Sequence, residues 1–140
     1  MGPVMRYQNW PVRLDAFTLD AVSRKFEWGK WDCGLAAAKC VEALTGIDAC
    51  SEYYLEYSTA EGAAERLQEV SGGGLIEAFT RLLGEPLPSP RLAQRGDICI
   101  IDTPLGDAAG WCIGPQVAVV GLDGLKFASI KSAKTAWRVD

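Results

Sequence analysis

A proline-rich segment divides the chain into a part with helix signals and a part with strand signals. The segment Glu85-Pro86-Leu87-Pro88-Ser89-Pro90 contains three prolines, which favours an extended stretch of chain on the surface. Before it, apolar residues recur with the spacing of helices. After it, short apolar runs alternate with turn residues, as is typical of strands. Because helices come first and strands second, we expect a single α+β domain over residues 1–140, with a helical part at about 10–84 and a sheet part at about 95–140.

Four helices are predicted in the first part, after an irregular arm at residues 1–9. They are expected at about 11–25, 33–45, 59–70 and 75–83. The third helix follows Ser58-Thr59-Ala60-Glu61, a capping-box pattern in which Ser58 would be the N-cap. The glycines of Ser71-Gly72-Gly73-Gly74 are interpreted as a turn between two helices, because neither a preceding strand nor a Gly-Lys-Ser/Thr ending supports a phosphate loop.

The second part predicts four or five antiparallel strands. They are expected at about 98–101, 109–113, 116–120, 125–130 and 135–139. The residues between the first two strands, 102–107, are interpreted as a turn or loop at the lip of a site. Gly121-Leu122-Asp123-Gly124 is interpreted as a hairpin turn because it contains an Asp-Gly pair.

The second predicted helix carries a cysteine at its start. Asp32 is a good N-cap and Gly46 a good C-terminal stop, which places Cys33 in the first turn. There the helix dipole and the unpaired N–H groups favour a thiolate. The face of the helix that carries Cys33 is apolar, which would partly bury the thiol. A packed, inert thiol and a functional thiol are both compatible with the sequence.

Aromatic residues surround this stretch. Trp28 and Trp31 flank the cysteine and are interpreted either as core anchors or as the lining of a cleft. Tyr53, Tyr54 and Tyr57 lie in the connector after the helix, where they either cover the edge of the core or face a partner.

Four segments of the chain resemble one enzyme family. Trp31-Asp32-Cys33-Gly34 and the alanine-rich helix after it resemble the nucleophile segment of the NlpC-type, papain-fold cell-wall peptidases. The tryptophan-rich lead-in and the helix end Leu44-Thr45-Gly46 are similar to the variant encoded in tail modules of long-tailed bacteriophages. The strands of this family are resembled by Arg95-Gly96-Asp97-Ile98-Cys99-Ile100-Ile101, Gly110-Trp111-Cys112-Ile113-Gly114 and Ala136-Trp137-Arg138-Val139. The resemblance covers roughly residues 10–140 and implies a papain-like NlpC-type fold, in which N-terminal helices pack on a small antiparallel sheet.

The same resemblance implies a histidine base at the start of the second core strand, and the chain contains no histidine. The expected position falls at about Ala108, whose methyl group cannot act as a base. Cys33 therefore remains the candidate nucleophile, but no group is left to activate it and to protonate the leaving amine. Asp107, one residue away, is a poor base for a thiol because carboxyl groups ordinarily titrate near pH 4. We expect the fold to be inherited and the peptidase activity to be lost.

Other polar residues replace the histidine only in part. Gln116 could donate a hydrogen bond to an oxyanion but cannot transfer a proton. The resemblance places a third polar residue at about Ser129, where it would orient the missing histidine. Lys30, which is close to Cys33 in sequence, could lower the pKa of the thiol. None of these residues restores proton shuttling.

Composition and charge limit the partners. The net charge is −4 and no run of Lys or Arg exceeds two residues, so nucleic acid is not expected as a partner. No apolar run reaches membrane-spanning length, and the N-terminus lacks the apolar core of a signal peptide, so neither membrane insertion nor export is expected. The five cysteines are expected to be reduced, and their spacing matches no zinc finger or ribbon. We therefore expect no metal or cofactor within the chain, and a thiol donated to a site shared with a partner stays open.

Three functions are consistent with these residues. The resemblance implies a structural component of a bacteriophage or prophage-derived tail tip or baseplate, made in the bacterial cytoplasm and bound in the virion to the hub or distal tail proteins. The alternative is an active or partner-activated cysteine peptidase or amidase that acts on peptidoglycan peptides during phage entry. The third is a bacterial domain of the same fold that binds such peptides without cutting them.

Overall fold

A computed structural model describes residues 5–140 as four α-helices followed by a five-stranded antiparallel sheet. The helices are α1 (Trp10–Ser23), α2 (Cys33–Thr45), α3 (Ala60–Ser71) and α4 (Leu75–Leu83). The strands are β1 (Ile98–Thr103), β2 (Gly106–Cys112), β3 (Gln116–Gly121), β4 (Gly124–Ser129) and β5 (Ala133–Trp137). The α+β class is therefore confirmed. The predicted arm at 1–9 is irregular from residue 5 onward, and its residues 1–4 lie outside the described residues.

The sheet has the order β4-β3-β2-β1-β5, and every neighbouring pair is antiparallel. Alternation along β1 gives the sheet two apolar faces. Ile98 and Ile100 belong to the cluster that includes the helices, whereas Cys99 and Ile101 belong to a second cluster on the opposite face. Part of this second face is covered by the proline-rich segment, since Leu87 packs against it and donates a backbone hydrogen bond to Ala136 at 2.8 Å.

Helix α2 is the centre of the molecule and forms as its local sequence predicts. The Asp32 carboxylate accepts a hydrogen bond from the backbone N–H of Leu35 at 2.9 Å, and Gly46 ends the helix in the left-handed conformation. Seven of the thirteen residues are buried: Leu35, Ala36, Ala37, Ala38, Cys40, Val41 and Leu44. A helix that is apolar around most of its circumference packs on several sides at once.

Two local predictions need correction. Helix α3 is capped by Thr59, whose Oγ1 accepts from the backbone N–H of Gly62 at 3.0 Å, so Ser58 is not the N-cap. The turn predicted at residues 102–107 is present but shorter, because β1 continues to Thr103 and β2 begins at Gly106. The Thr103 hydroxyl closes this tight hairpin by donating to the carbonyl of Gly106 and accepting from the N–H of Leu105.

A buried carboxylate connects both ends of the described chain to the sheet. Asp97 is fully buried and accepts hydrogen bonds from Arg6 and Arg138, each at 2.9 Å. It also accepts from the backbone N–H groups of Val139 at 3.0 Å and Gln94 at 2.8 Å. The Arg-Gly-Asp sequence before β1 therefore has a structural role, because its aspartate pairs with two guanidinium groups.

Between residues 5 and 140, every helix is too short or too polar to cross a membrane.

Candidate functional site

The loop before α2 is shaped so that it presents Cys33. Trp31 and Glu27 exchange two backbone hydrogen bonds, at 2.8 and 3.0 Å, which close a tight turn around Gly29. Gly29 has a φ of +82°, and a Cβ at this position would overlap the carbonyl oxygen of Tyr57. Only glycine fits this backbone conformation and this close approach. The turn therefore fixes where the helix begins and where the cysteine is placed.

The Asp32 carboxylate stabilises this turn through hydrogen bonds. Its carboxylate is buried and accepts three hydrogen bonds, from the N–H of Gly29 at 3.0 Å, the N–H of Leu35 at 2.9 Å and the hydroxyl of Tyr57 at 2.6 Å. Burial and the neighbouring Asp32 charge raise the pKa of the Tyr57 hydroxyl, so this hydroxyl stays protonated and keeps donating. Asp32 thus joins the turn, helix α2 and the connector to α3.

The Cys33 thiol is half-buried and protonated at neutral pH. Burial raises the pKa of Cys33 to about 11, and the Asp32 charge acts in the same direction. The backbone groups of Ala109, Gly34 and Cys33 itself lower the pKa, but by less. The expectation that the helix start favours a thiolate is therefore met only in part, because the loss of hydration outweighs the backbone dipoles.

A cavity of about 580 Å³ opens at Cys33. It lies between α2, the connector at residues 48–57, α3 and α4, and the tip of the β1–β2 hairpin closes one end. Its walls are mainly apolar and include Trp28, Leu35, Leu67, Leu75, Phe79 and Leu82. A concave, mostly apolar space with a few polar groups is the usual form of a binding site.

The strand opposite Cys33 supplies a methyl group where the base was expected. Ala108 is 8% exposed and belongs to the apolar cluster against which Cys33 packs. Asp107 lines the cavity together with Cys33, but its carboxylate is bound to Lys134 at 2.6 Å. Lys134 also binds Asp102 at 2.9 Å. The carboxylate nearest to the expected position is thus already paired with a cation.

The remaining residues proposed from the sequence lie elsewhere. Gln116 and Ser129 are partners in the β3–β4 register, at the end of the sheet where β2 finishes, whereas Asp107 lies where β2 begins. The Ser129 hydroxyl accepts from the backbone N–H of Lys131 and caps a short turn. Lys30 forms an ion pair with Glu27 at 3.1 Å, and it is not among the groups that shift the pKa of Cys33.

The two flanking tryptophans have different environments. Trp31 is 2% exposed and lies in the core, where the guanidinium of Arg24 stacks on its ring at 3.7 Å. Trp28 is half-buried, lines the cavity and makes an edge-to-face contact with Phe26. Trp31 is therefore a core anchor, and Trp28 lines the cleft.

Sequence reasoning missed the wall that α3 and α4 contribute and the hydrogen bond from Tyr57 to Asp32. The apolar sides of α3 and α4 were visible in the sequence, but their distance from Cys33 is set by tertiary packing. All five cysteines are free, and no group of three His, Cys, Asp or Glu side chains within residues 5–140 is placed to hold a metal ion.

No curated protein matches the chain. One family of sequences, described as Domain of unknown function (DUF6950), matches residues 5–139, which is nearly the whole length. The protein therefore belongs to the DUF6950 family.

Proposed function

We propose that this chain is a structural component of a bacteriophage or prophage-derived tail tip or baseplate, built on a papain-like NlpC-type fold that has lost its peptidase activity. The observation that carries the proposal is the site around Cys33. A protonated thiol at the start of a helix packs against a strand that offers the methyl group of Ala108 in place of an imidazole. This is the arrangement of a nucleophile without its base.

The lack of a base decides between catalysis and binding. Hydrolysis of an amide by a cysteine requires a thiolate and a group that returns a proton to the leaving nitrogen. The pKa of Cys33 is about 11, and the nearby Asp107 carboxylate is paired with Lys134. Removing one member of a catalytic unit typically lowers the rate by several orders of magnitude. The chain thus retains the cavity of an enzyme without the means to cut an amide.

The order of the elements and the Arg-Gly-Asp motif support the papain-like assignment. The cysteine lies on a helix that precedes the sheet, as the resemblance implies. Arg95-Gly96-Asp97 and the final Trp137-Arg138-Val139 meet at the buried Asp97 carboxylate. The tail-tip role itself rests on the tryptophan-rich lead-in to Cys33 and on the Leu44-Thr45-Gly46 helix end. In that setting the partners are the hub and distal tail proteins, and the chain is part of the virion.

One observation favours the alternative of a partner-activated peptidase or amidase. The backbone groups of Ala109 and Gly34 act on the Cys33 sulfur in the direction that stabilises a negative charge. Such groups could also stabilise an oxyanion. A histidine from a partner protein that reached the cavity would then complete the site on peptidoglycan peptides.

The test uses a phage or an induced prophage that encodes the chain. We expect mass spectrometry to find the chain in purified particles and the Cys33→Ala variant to infect with unchanged efficiency. The isolated chain is expected to release no peptide from peptidoglycan. Particles that lack the chain would refute the tail-tip role. Peptide release that requires Cys33 would establish the enzymatic alternative.

A further inference from the structure

Charge is distributed unevenly along this chain. Residues 46–85 carry eight carboxylates and two arginines, a net charge of −6, although the whole chain has a net charge of only −4. This acidic segment contains the connector after α2 and both α3 and α4, which form most of the cavity wall. Two of these carboxylates, Asp48 and Glu52, line the cavity itself.

The carboxylates of α3 form a row along the edge of the cavity. Glu61, Glu65 and Glu69 follow one another at intervals of four residues, so they lie on one side of the helix about one turn apart. Ala64 and Gln68, which line the cavity, also line a shallow depression together with Glu65 and Glu69. Glu65 and Glu69 therefore adjoin residues of the cavity wall, and Glu61 lies one turn before Glu65 on the same side of α3.

Two of these carboxylates form no ion pair within the described residues. Glu69 binds Arg66 at 3.2 Å, and Arg66 also contacts Glu56. Glu61 and Glu65 form no ion pair with any residue of the described part of the chain, and both are exposed. Their negative charges are one helical turn apart, the spacing at which a second helix presents side chains of its own.

Helix α3 is attached to the rest of the molecule by few apolar contacts. Ala63 is the only buried residue of α3. The helix packs mainly on α4. Helix α3 is capped by Thr59 at its start and ends at Gly72, where φ is +74°. Leu67 on its inner side faces the cavity instead of the core. An amphipathic helix that keeps part of its apolar side on an open cavity has room for another apolar surface.

We propose that this acidic-edged cavity is the docking site for a basic amphipathic helix of a partner protein. Leucine-like side chains of that helix would enter the cavity beside Leu67 and Leu75, and Lys or Arg side chains one turn apart would pair with Glu61 and Glu65. A small cation would bind one carboxylate of the row and would leave the apolar cavity empty. An amphipathic helix can bind the carboxylates and fill the cavity at the same time. This proposal rests on the proposed binding function and names the surface and the chemistry of the partner.

The probe is a synthetic peptide of leucine and lysine with the period of an amphipathic helix, labelled with a fluorophore for anisotropy. The full chain is expected to bind it, and to bind the same peptide with glutamate in place of lysine at least about tenfold more weakly. Raising the salt to about 0.5 M is expected to weaken binding, because exposed charge pairs are screened.

Matched variants locate the site. The double variant Glu61→Lys, Glu65→Lys and the variant Ala64→Trp, which fills the cavity mouth, are each expected to lower the affinity about tenfold or more. Asp123→Lys and Ala16→Trp are the controls, because they place a reversed charge or a bulky side chain at exposed positions on the β3–β4 turn and on α1. They are expected to leave binding unchanged.

Equal binding of both peptides, no binding, or equal losses in the control variants would overturn the proposal. Self-association of the chain that Ala64→Trp abolishes would assign the cavity to a second copy and would also overturn it. The result of the peptide-binding test can be distinguished from the result of the tail-tip test. A chain found in particles that does not bind the lysine peptide refutes the docking site alone, and a chain that binds the peptide but is missing from particles refutes the tail-tip role alone.

Discussion

The ion cluster around Asp97 should account for a large part of the stability of this fold. The Asp97→Asn variant keeps the shape of the side chain but removes its charge and turns an amide group toward donors. Four donors lie 2.8 to 3.0 Å from the Asp97 carboxylate, and two of them are guanidinium groups. Breaking a buried ion pair by removing one partner costs about 3–5 kcal/mol. A domain of this kind has about 5–15 kcal/mol in total.

Urea unfolding followed by circular dichroism measures this loss. With a slope of about 2 kcal/mol per M, a loss of about 3–5 kcal/mol lowers the midpoint by about 1.5–2.5 M. The control is Asp123→Asn in the exposed β3–β4 turn, which should change the free energy of unfolding by less than about 0.5 kcal/mol. An Asp97→Asn variant within about 1 kcal/mol of the parent would refute the reasoning.

The two arginines should contribute unequally. The side chain of Arg6 is 9% exposed and that of Arg138 is 37% exposed, so water screens the second ion pair more. Arg6 also donates to the carbonyls of Arg95 and Val139 and stacks on Trp10. Arg6→Met is therefore expected to destabilise more than Arg138→Met, and the reverse order would contradict the role assigned to burial.

Three further predictions concern the site and the thiols. The alkylation rate of Cys33 should keep rising beyond pH 9 toward its pKa of about 11, with Cys33→Ala as the control, and a plateau reached near neutral pH would contradict the protonated thiol. Tyr57→Phe should cost about 1.5–3 kcal/mol in urea unfolding, because the buried Asp32 carboxylate loses a donor, and an unchanged midpoint would show that water replaces the hydroxyl. Burial raises the pKa of all five cysteines, so the unfolded chain loses its thiol protons at a lower pH than the folded chain. The free energy of unfolding should therefore be fully present below the ordinary thiol pKa of about 9 and should fall as the pH rises above it. Urea midpoints measured at increasing pH would show this fall. Midpoints that stay constant into this alkaline range would be inconsistent with buried, neutral thiols.

Features set by neighbouring residues could be predicted from the sequence. Helix α2 depends on Asp32 at its start and on Gly46 at its end, and both signals act within one turn of chain. The same holds for the glycine turn between α3 and α4 and for the β3–β4 hairpin. The predicted cap of α3, Ser58, is off by one residue, because its neighbour Thr59 has the same capping chemistry and is the residue that caps the helix.

Features set by packing could not be predicted. The helix start favours a thiolate at Cys33, but the sign of the pKa shift depends on how much water the neighbouring strand removes. The pairing of Asp107 with Lys134 joins residues far apart in sequence, and so does the Asp97 cluster. Ser129 was placed near the site by analogy with a sheet whose register the sequence does not specify. Its observed pairing with Gln116 puts it at the wrong end of β3.

The first and last residues of the described chain lie near one end of helix α2, and the cavity lies at the other. The backbone N–H of Tyr7 donates to the carbonyl of Leu44 in the last turn of this helix, whereas Cys33 is its first residue, about 16 Å away along the axis. Arg6 and Val139 meet beside the last turn. A circular permutant that joins residue 140 to residue 5 by a short linker and opens the chain at the β3–β4 turn should therefore fold. Fusions joined at residue 5 or at residue 140 should likewise leave the cavity unobstructed, because both attachment points lie away from Cys33.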